Sequence, residues 1–132
     1  MARGGGMEAY GALVLRVAIG AIYMMHAYRV LFIWGPGDVV SFENTYALPL
    51  PAASIWYLII AHGLGGLLLI LGVLARWAAL VNIPIMAVVV FLIHWKQGFY
   101  MSHGGGYEFS LLLLAATIAQ AFLGAGAFTL RK

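Results

Sequence analysis

Four long apolar runs, at about residues 10–34, 53–74, 78–95 and 107–128, constrain this chain more than any other feature. A helix of roughly 20 apolar residues crosses the hydrocarbon core of a bilayer, and each run approaches or exceeds that length. The third is the shortest and carries Asn82 and Pro84 near its start, where a proline removes fewer backbone hydrogen bonds than in a helix centre. None of the runs alternates polar and apolar residues as the strands of a membrane barrel do. A soluble fold is excluded as well. With 64% apolar and 8% charged residues and a mean hydropathy of +1.00, a chain of 132 residues has no interior large enough to hide every helix face. The expected fold class is all-α, an integral membrane four-helix bundle forming a single domain over residues 1–132.

The connections differ in kind. Residues 35–52 hold Pro36, Asp38, Glu43, Pro49 and Pro51, a polar loop with room for one interfacial turn of helix near Val39 to Tyr46. Leu74-Ala75-Arg76 leaves so little chain between the second and third runs that they must form a tight antiparallel hairpin. The third connection is the glycine-rich loop 96–106. Lys and Arg near helix ends set orientation. One side receives Arg3, Arg16, Arg76, Arg131 and Lys132, and the other receives Arg29 and Lys96 with Asp38, Glu43 and Glu108. Both termini are therefore expected in the cytoplasm, with loops 35–52 and 96–106 on the periplasmic or extracellular side. Arg16 interrupts the first run, which argues for an uncleaved membrane helix over a signal peptide.

Composition removes several chemistries. Without cysteine the chain forms no disulfide, thiolate cluster or thiol nucleophile, so redox work needs a bound cofactor or a partner. The net charge of +3 rests on seven scattered basic residues, with no basic run of the kind that tracks phosphates, and nucleic acid is not an expected ligand. Gly104-Gly105-Gly106 lacks the Lys-Ser/Thr that completes a phosphate loop.

What remains is a set of polar residues beside lipid-grade sequence, and ionisable groups at membrane depth face a protein interior or a water-filled cavity. All four histidines, His26, His62, His94 and His103, fall in the outer half of the expected topology. In the first run Arg16, Ile19, Tyr23, His26 and Val30 share a helical seam expected to point inward, with Arg29 one turn beyond His26. Gly65, Gly66 and Gly72 let another helix come close to the second run and bring His62 within reach of the first.

Each residue has a simpler reading. Arg16 and Arg76 read as snorkelling orientation signals, and Trp95 with Lys96 as an interfacial anchor. Glu108 suits the amide-rich, positive end of the fourth helix. It is also the expected ion-pair partner of Arg29, since neither has another obvious partner of opposite sign. His26, His62, His94 and Glu108 could between them ligate a metal, but no pair of them shows ligand spacing, so no metal site is expected.

These residues resemble the DoxX family of small four-helix bacterial membrane proteins over about Leu13 to Leu123. The likeness is carried by Gly105-Gly106-Tyr107-Glu108-Phe109 running into Leu111 to Ala116. Further matches are Phe91-Leu92-Ile93-His94-Trp95 with Gly98-Phe99, Gly65-Gly66-Leu67-Leu68-Leu69 through Gly72 to Arg76-Trp77-Ala78-Ala79-Leu80, and Arg16 with His26. His62 stands where members often carry a glutamate, and Arg29 lies near a position that is more often lysine.

The resemblance implies a bacterial inner-membrane protein associated with quinone-linked oxidoreductase or electron-transfer machinery. No cofactor is intrinsic to the chain; a quinone is the implied ligand, and the bilayer and a larger membrane complex are the implied partners. The candidate pocket residues are Tyr23, His26, Arg29, His62, His94, Tyr107 and Glu108, with no catalytic residue assigned. Histidine and arginine there could hydrogen-bond a quinone carbonyl, and histidine could relay its proton. The alternative is a non-catalytic structural accessory subunit, whose polar cluster only fixes helix packing. Transport is weaker, because the chain offers neither inverted repeats nor broken helices.

Overall fold

All four apolar runs become helices in the computed structural model, which describes residues 6–45, 51–102 and 105–130. Side chains at 40, 42–45 and 51 are outside that description, as are Arg3, His103, Gly104, Arg131 and Lys132 altogether. Helix α1 covers Met7–Trp34, α3 covers Pro51–Leu71, α4 covers Ala75–Gln97 and α5 covers Glu108–Leu123. The polar loop after α1 holds a further helix, α2, at Pro36–Thr45, longer than the single turn expected there. No strand occurs among the described residues. Three helices, α1, α3 and α4, are long and apolar enough to span a membrane, and α5 is a shorter apolar helix.

Helix α1 packs on α3, α3 on α4, α4 on α5, and α5 back on α1. Ile19, Tyr23, Leu69, Ala79, Met86, Val90 and Leu114 meet in the centre. Val39 of α2 joins Val30, Ile55 and Ile59 in a second, smaller apolar cluster. Outward faces stay apolar, with Phe32, Ile60, Trp77, Leu112 and Phe122 all exposed, the pattern of a chain solvated by lipid.

Two adjacent glycines set the helix spacing by serving different neighbours. A Cβ on Gly66 would stand 2.7 Å from the carbonyl oxygen of Gly20, so α1 and α3 cross there backbone to backbone. A Cβ on Gly65 would stand 3.0 Å from the Asn82 amide nitrogen, which brings α4 against the other side. Small residues permit such approach, and interhelical hydrogen bonds then become possible within it.

Three details depart from the sequence reading. Helix α5 ends at Leu123 instead of near Phe128, because Gly124 turns the chain with φ +75°. Pro84 lies well inside α4, because that helix begins at Ala75. Finally, Arg16 is not a snorkelling side chain: it is fully buried. Its guanidinium donates to Leu69 O (2.9 Å) and Ile70 O (2.5 Å) at the end of α3, and to Ala125 O (2.8 Å), Ala127 O (2.7 Å) and Phe128 O (2.6 Å) after α5. The last carbonyls of α3 have no intrahelical partner and carry partial negative charge, so the cation is held where the fold needs donors.

Candidate functional site

Helical geometry decides which polar groups of α1 face inward. At 3.6 residues per turn, Arg16, Ile19, Gly20, Tyr23 and Ala27 fall within about 60° of one direction, and all are buried. His26 lies at the edge of that arc and is exposed, although its ring still comes within 6.3 Å of the His62 ring, edge to face. The inward seam of the sequence reading thus holds for Arg16, Ile19, Tyr23 and Val30, with Ala27 taking the fully buried position beside His26.

His62 is buried at the level where α1, α3 and α4 converge, its ring 4.5 Å from that of Tyr23. Its Nδ1 is 2.6 Å from Asn82 Oδ1. The Asn82 amide nitrogen donates to Ala61 O and Ala78 O, both at 2.9 Å, which fixes the amide with its oxygen toward the imidazole. An amide oxygen can only accept, so His62 Nδ1 carries the proton and Nε2 presents a lone pair. Nε2 has no hydrogen-bond partner among the described residues and is not fully enclosed, and the neighbouring ring is that of the exposed His26.

The neighbouring bonds run the same way. Thr117 Oγ1 donates to Leu113 O at 2.7 Å, which uses its proton, so the Tyr23 hydroxyl donates to Thr117. The Tyr23 hydroxyl, the His62 Nδ1 proton, the Thr117 hydroxyl and the Asn82 amide hydrogens are therefore all consumed inside the protein. The atom of His62 left without a partner is an acceptor.

The other expected residues assemble elsewhere. His94 Nδ1 donates to Ser110 Oγ at 3.0 Å, because the Ser110 hydroxyl proton goes to Tyr107 O at 3.2 Å. Tyr107 stacks on Trp95 at 4.7 Å, and Glu108, first residue of α5, accepts the Met101 amide at 3.1 Å. Gln97 closes the same corner by accepting the Gly106 amide at 3.0 Å.

The expected Arg29–Glu108 ion pair does not form. Arg29 lies over the Trp34 ring, 4.2 Å from its centroid, and Glu108 is satisfied by the loop amide. The local partner wins in each case, because a neighbour in sequence costs less ordering than one across the protein. No group of three or more His, Asp or Glu able to hold a metal occurs among the described residues, so His26, His62, His94 and Glu108 do not converge. His103 lies outside the described residues.

Asn82, Thr117 and Ser110 carry the network and were not singled out by the sequence reading as site residues. A signal existed: Ser110, Leu113, Leu114, Thr117, Gln120 and Ala121 recur at helical spacing and are the buried face of α5. Polar residues on that stripe had to find partners inside. Two six-residue π-helical stretches, Arg29–Trp34 and Val89–His94, flank the site on α1 and α4. Such turns are rare and concentrate at functional positions.

The family model described as DoxX matches residues 11–95, more than half of the chain. That range contains Tyr23, His26, Arg29, His62, Asn82 and His94, and stops before the Gly105–Phe109 segment on which the resemblance leaned most. Comparison with curated proteins and with solved structures gave no match.

Proposed function

The chain belongs to the DoxX family and is a small membrane protein, and from that premise we propose that it is a subunit of quinone-linked oxidoreductase machinery in a bacterial inner membrane. Its own contribution is a polar site at His62, not a redox centre. The observation that carries this reading is the fixed imidazole: Asn82 accepts the Nδ1 proton, and Nε2 is left as an unpartnered acceptor that is not fully enclosed. A ligand arriving from the bilayer with a hydroxyl, such as a quinol, can donate to that nitrogen. His26, exposed and 6.3 Å away ring to ring, is the next group able to take the proton onward.

In this reading α1, α3, α4 and the shorter α5 all span the membrane as a bundle with both termini in the cytoplasm. Helix α5, with 16 residues and a length of about 24 Å, crosses with help from its flanking segments.

The test is quinone content. Full-length protein isolated in native lipid is extracted, and bound quinone is measured for wild type, His62→Leu and His94→Leu. The proposal expects loss in His62→Leu and retention in His94→Leu. Unchanged content in His62→Leu would sink it. A second reading, the structural accessory subunit, is favoured by the same network, since Tyr23, His62 and Asn82 each donate across to another helix. It expects no change in quinone content and a loss of complex assembly in His62→Leu.

A further inference from the structure

At the end of the molecule that holds Arg16, two cavities meet at Arg76. The larger, about 850 Å³, lies among Tyr10, Arg76, Trp77 and the chain after α5. The smaller, about 370 Å³, is a groove between α4 and α5 walled by Leu80, Ile83, Ile118, Ala121 and Phe122, with Arg76 also on its lining. Arg76, Leu80 and Ile83 follow one another along one face of α4 over about 10 Å. One cavity is therefore interfacial and partly polar, the other apolar and directed along the helices.

Arg76 is exposed and underused. Its one hydrogen bond among the described residues is a long one to Phe122 O, 3.5 Å, whereas a guanidinium offers five donors in a fork suited to phosphate. Arg16, the other described cation at this end, is spent on five carbonyls. Among the described residues neither cavity is lined by an aspartate or glutamate, so none of them would neutralise Arg76 or receive an ammonium group. Tyr10, Trp77 and Phe128 on the rim are 48%, 65% and 76% exposed, as aromatic rings are at headgroup level.

We propose that Arg76 holds the phosphate of an anionic phospholipid whose acyl chain lies in the α4–α5 groove. A charged head joined to an apolar tail matches two cavities that share one cation. The absence of lining carboxylates selects an anionic head over a zwitterionic one. Basic pockets between membrane helices commonly take such heads, and each basic residue near the surface is worth about 1 kcal/mol, or about fivefold in binding. The bound lipid would tie the end of α5 to α4 beside the Arg16 clamp. This inference is independent of any role for His62.

Native mass spectrometry on the full chain in detergent tests it, with phosphatidylglycerol and phosphatidylcholine of identical acyl chains as probes. Wild type is expected to retain the glycerol lipid about fivefold better, Arg76→Gln to lose that preference and Arg29→Gln to keep it. Ala121→Trp, which fills the groove, is expected to lower retention of both lipids. Equal retention of the two lipids by wild type overturns the proposal, as does a preference that survives Arg76→Gln. Displacement of the lipid by inorganic phosphate at constant ionic strength overturns it too, since the site would then take a free anion.

Discussion

Replacing Arg16 with lysine keeps the charge that orients the helix and removes only the geometry of the guanidinium. In the wild type that group joins two segments, reaching Leu69 O and Ile70 O on one side and Ala125 O, Ala127 O and Phe128 O on the other. An ammonium donates from a single point and cannot serve both sets. Leu69 O keeps a second partner in the Gly72 amide at 3.2 Å, but Ile70, Ala125, Ala127 and Phe128 lose the donor they had. A hydrogen bond to a charged group contributes about 1.5–3 kcal/mol, and such losses are not additive, so about 3 kcal/mol is a fair cost for releasing the segment after α5. At 1.4 kcal/mol per tenfold, its opening equilibrium should rise by roughly 100-fold. Two amides report on it directly: Ala127 N–H donates to Ala9 O at 3.0 Å and Leu130 N–H to Leu71 O at 3.1 Å. Hydrogen exchange of a peptide covering 124–130 in Arg16→Lys should therefore accelerate by one to two orders of magnitude. Exchange within twofold of wild type would mean that Arg16 acts only as a charge, and the clamp would be wrong.

Gly66→Ala adds a methyl 2.7 Å from Gly20 O and 2.8 Å from Met24 Cγ, and should cost about 1–3 kcal/mol of thermal stability in detergent. Gly63→Ala, facing Ala27 Cβ at 3.5 Å, is the matched control and should be nearly silent. Asn82→Leu strands the His62 Nδ1 proton, costs about 1–3 kcal/mol and frees the ring to exchange tautomers. Nitrogen-15 NMR of labelled histidine reads this out, and an unchanged Nδ1–H signal counts against the tautomer assignment. Glu108→Gln should leave stability within about 0.5 kcal/mol, because an amide oxygen accepts the Met101 N–H as the carboxylate does. A large loss would restore a charge-dependent role for Glu108.

The four apolar helices, their hydrophobic faces and the glycine crossing were legible in the sequence because bilayer length and helical period act directly on residue type, whereas the full length of α2 was not. Gly65 and Gly66 announced close approach, and their neighbours proved to be Asn82 and Gly20. The pairing of charges was not legible. Arg29 and Glu108 are complementary in sign and lie on the same side of the membrane in the expected topology, yet each found a nearby partner in Trp34 and Met101. Arg16 misled for a related reason. Its partners are backbone carbonyls 53 to 112 residues away, and carbonyls leave no mark on residue type.

The buried cation Arg16 and the buried imidazole His62 illustrate how satisfaction separates structure from chemistry. Arg16 is the most polar group in the interior, but every direction its donors take ends on a carbonyl, so nothing is left to recognise a ligand. His62 is far less polar and equally buried, yet Asn82 uses one ring nitrogen and leaves the other as an open acceptor. A buried polar atom without a partner costs free energy, and a fold that only needed rigid packing could have put an apolar side chain there. His94 repeats the arrangement at the outer corner with Ser110 in place of Asn82. It is only half-buried, so water can satisfy its second nitrogen. His62 Nε2 is unpartnered without being fully enclosed, whereas the enclosed unpartnered side-chain atom among the described residues is Gln120 Oε1, so a donor arriving from outside reaches His62 and not Gln120.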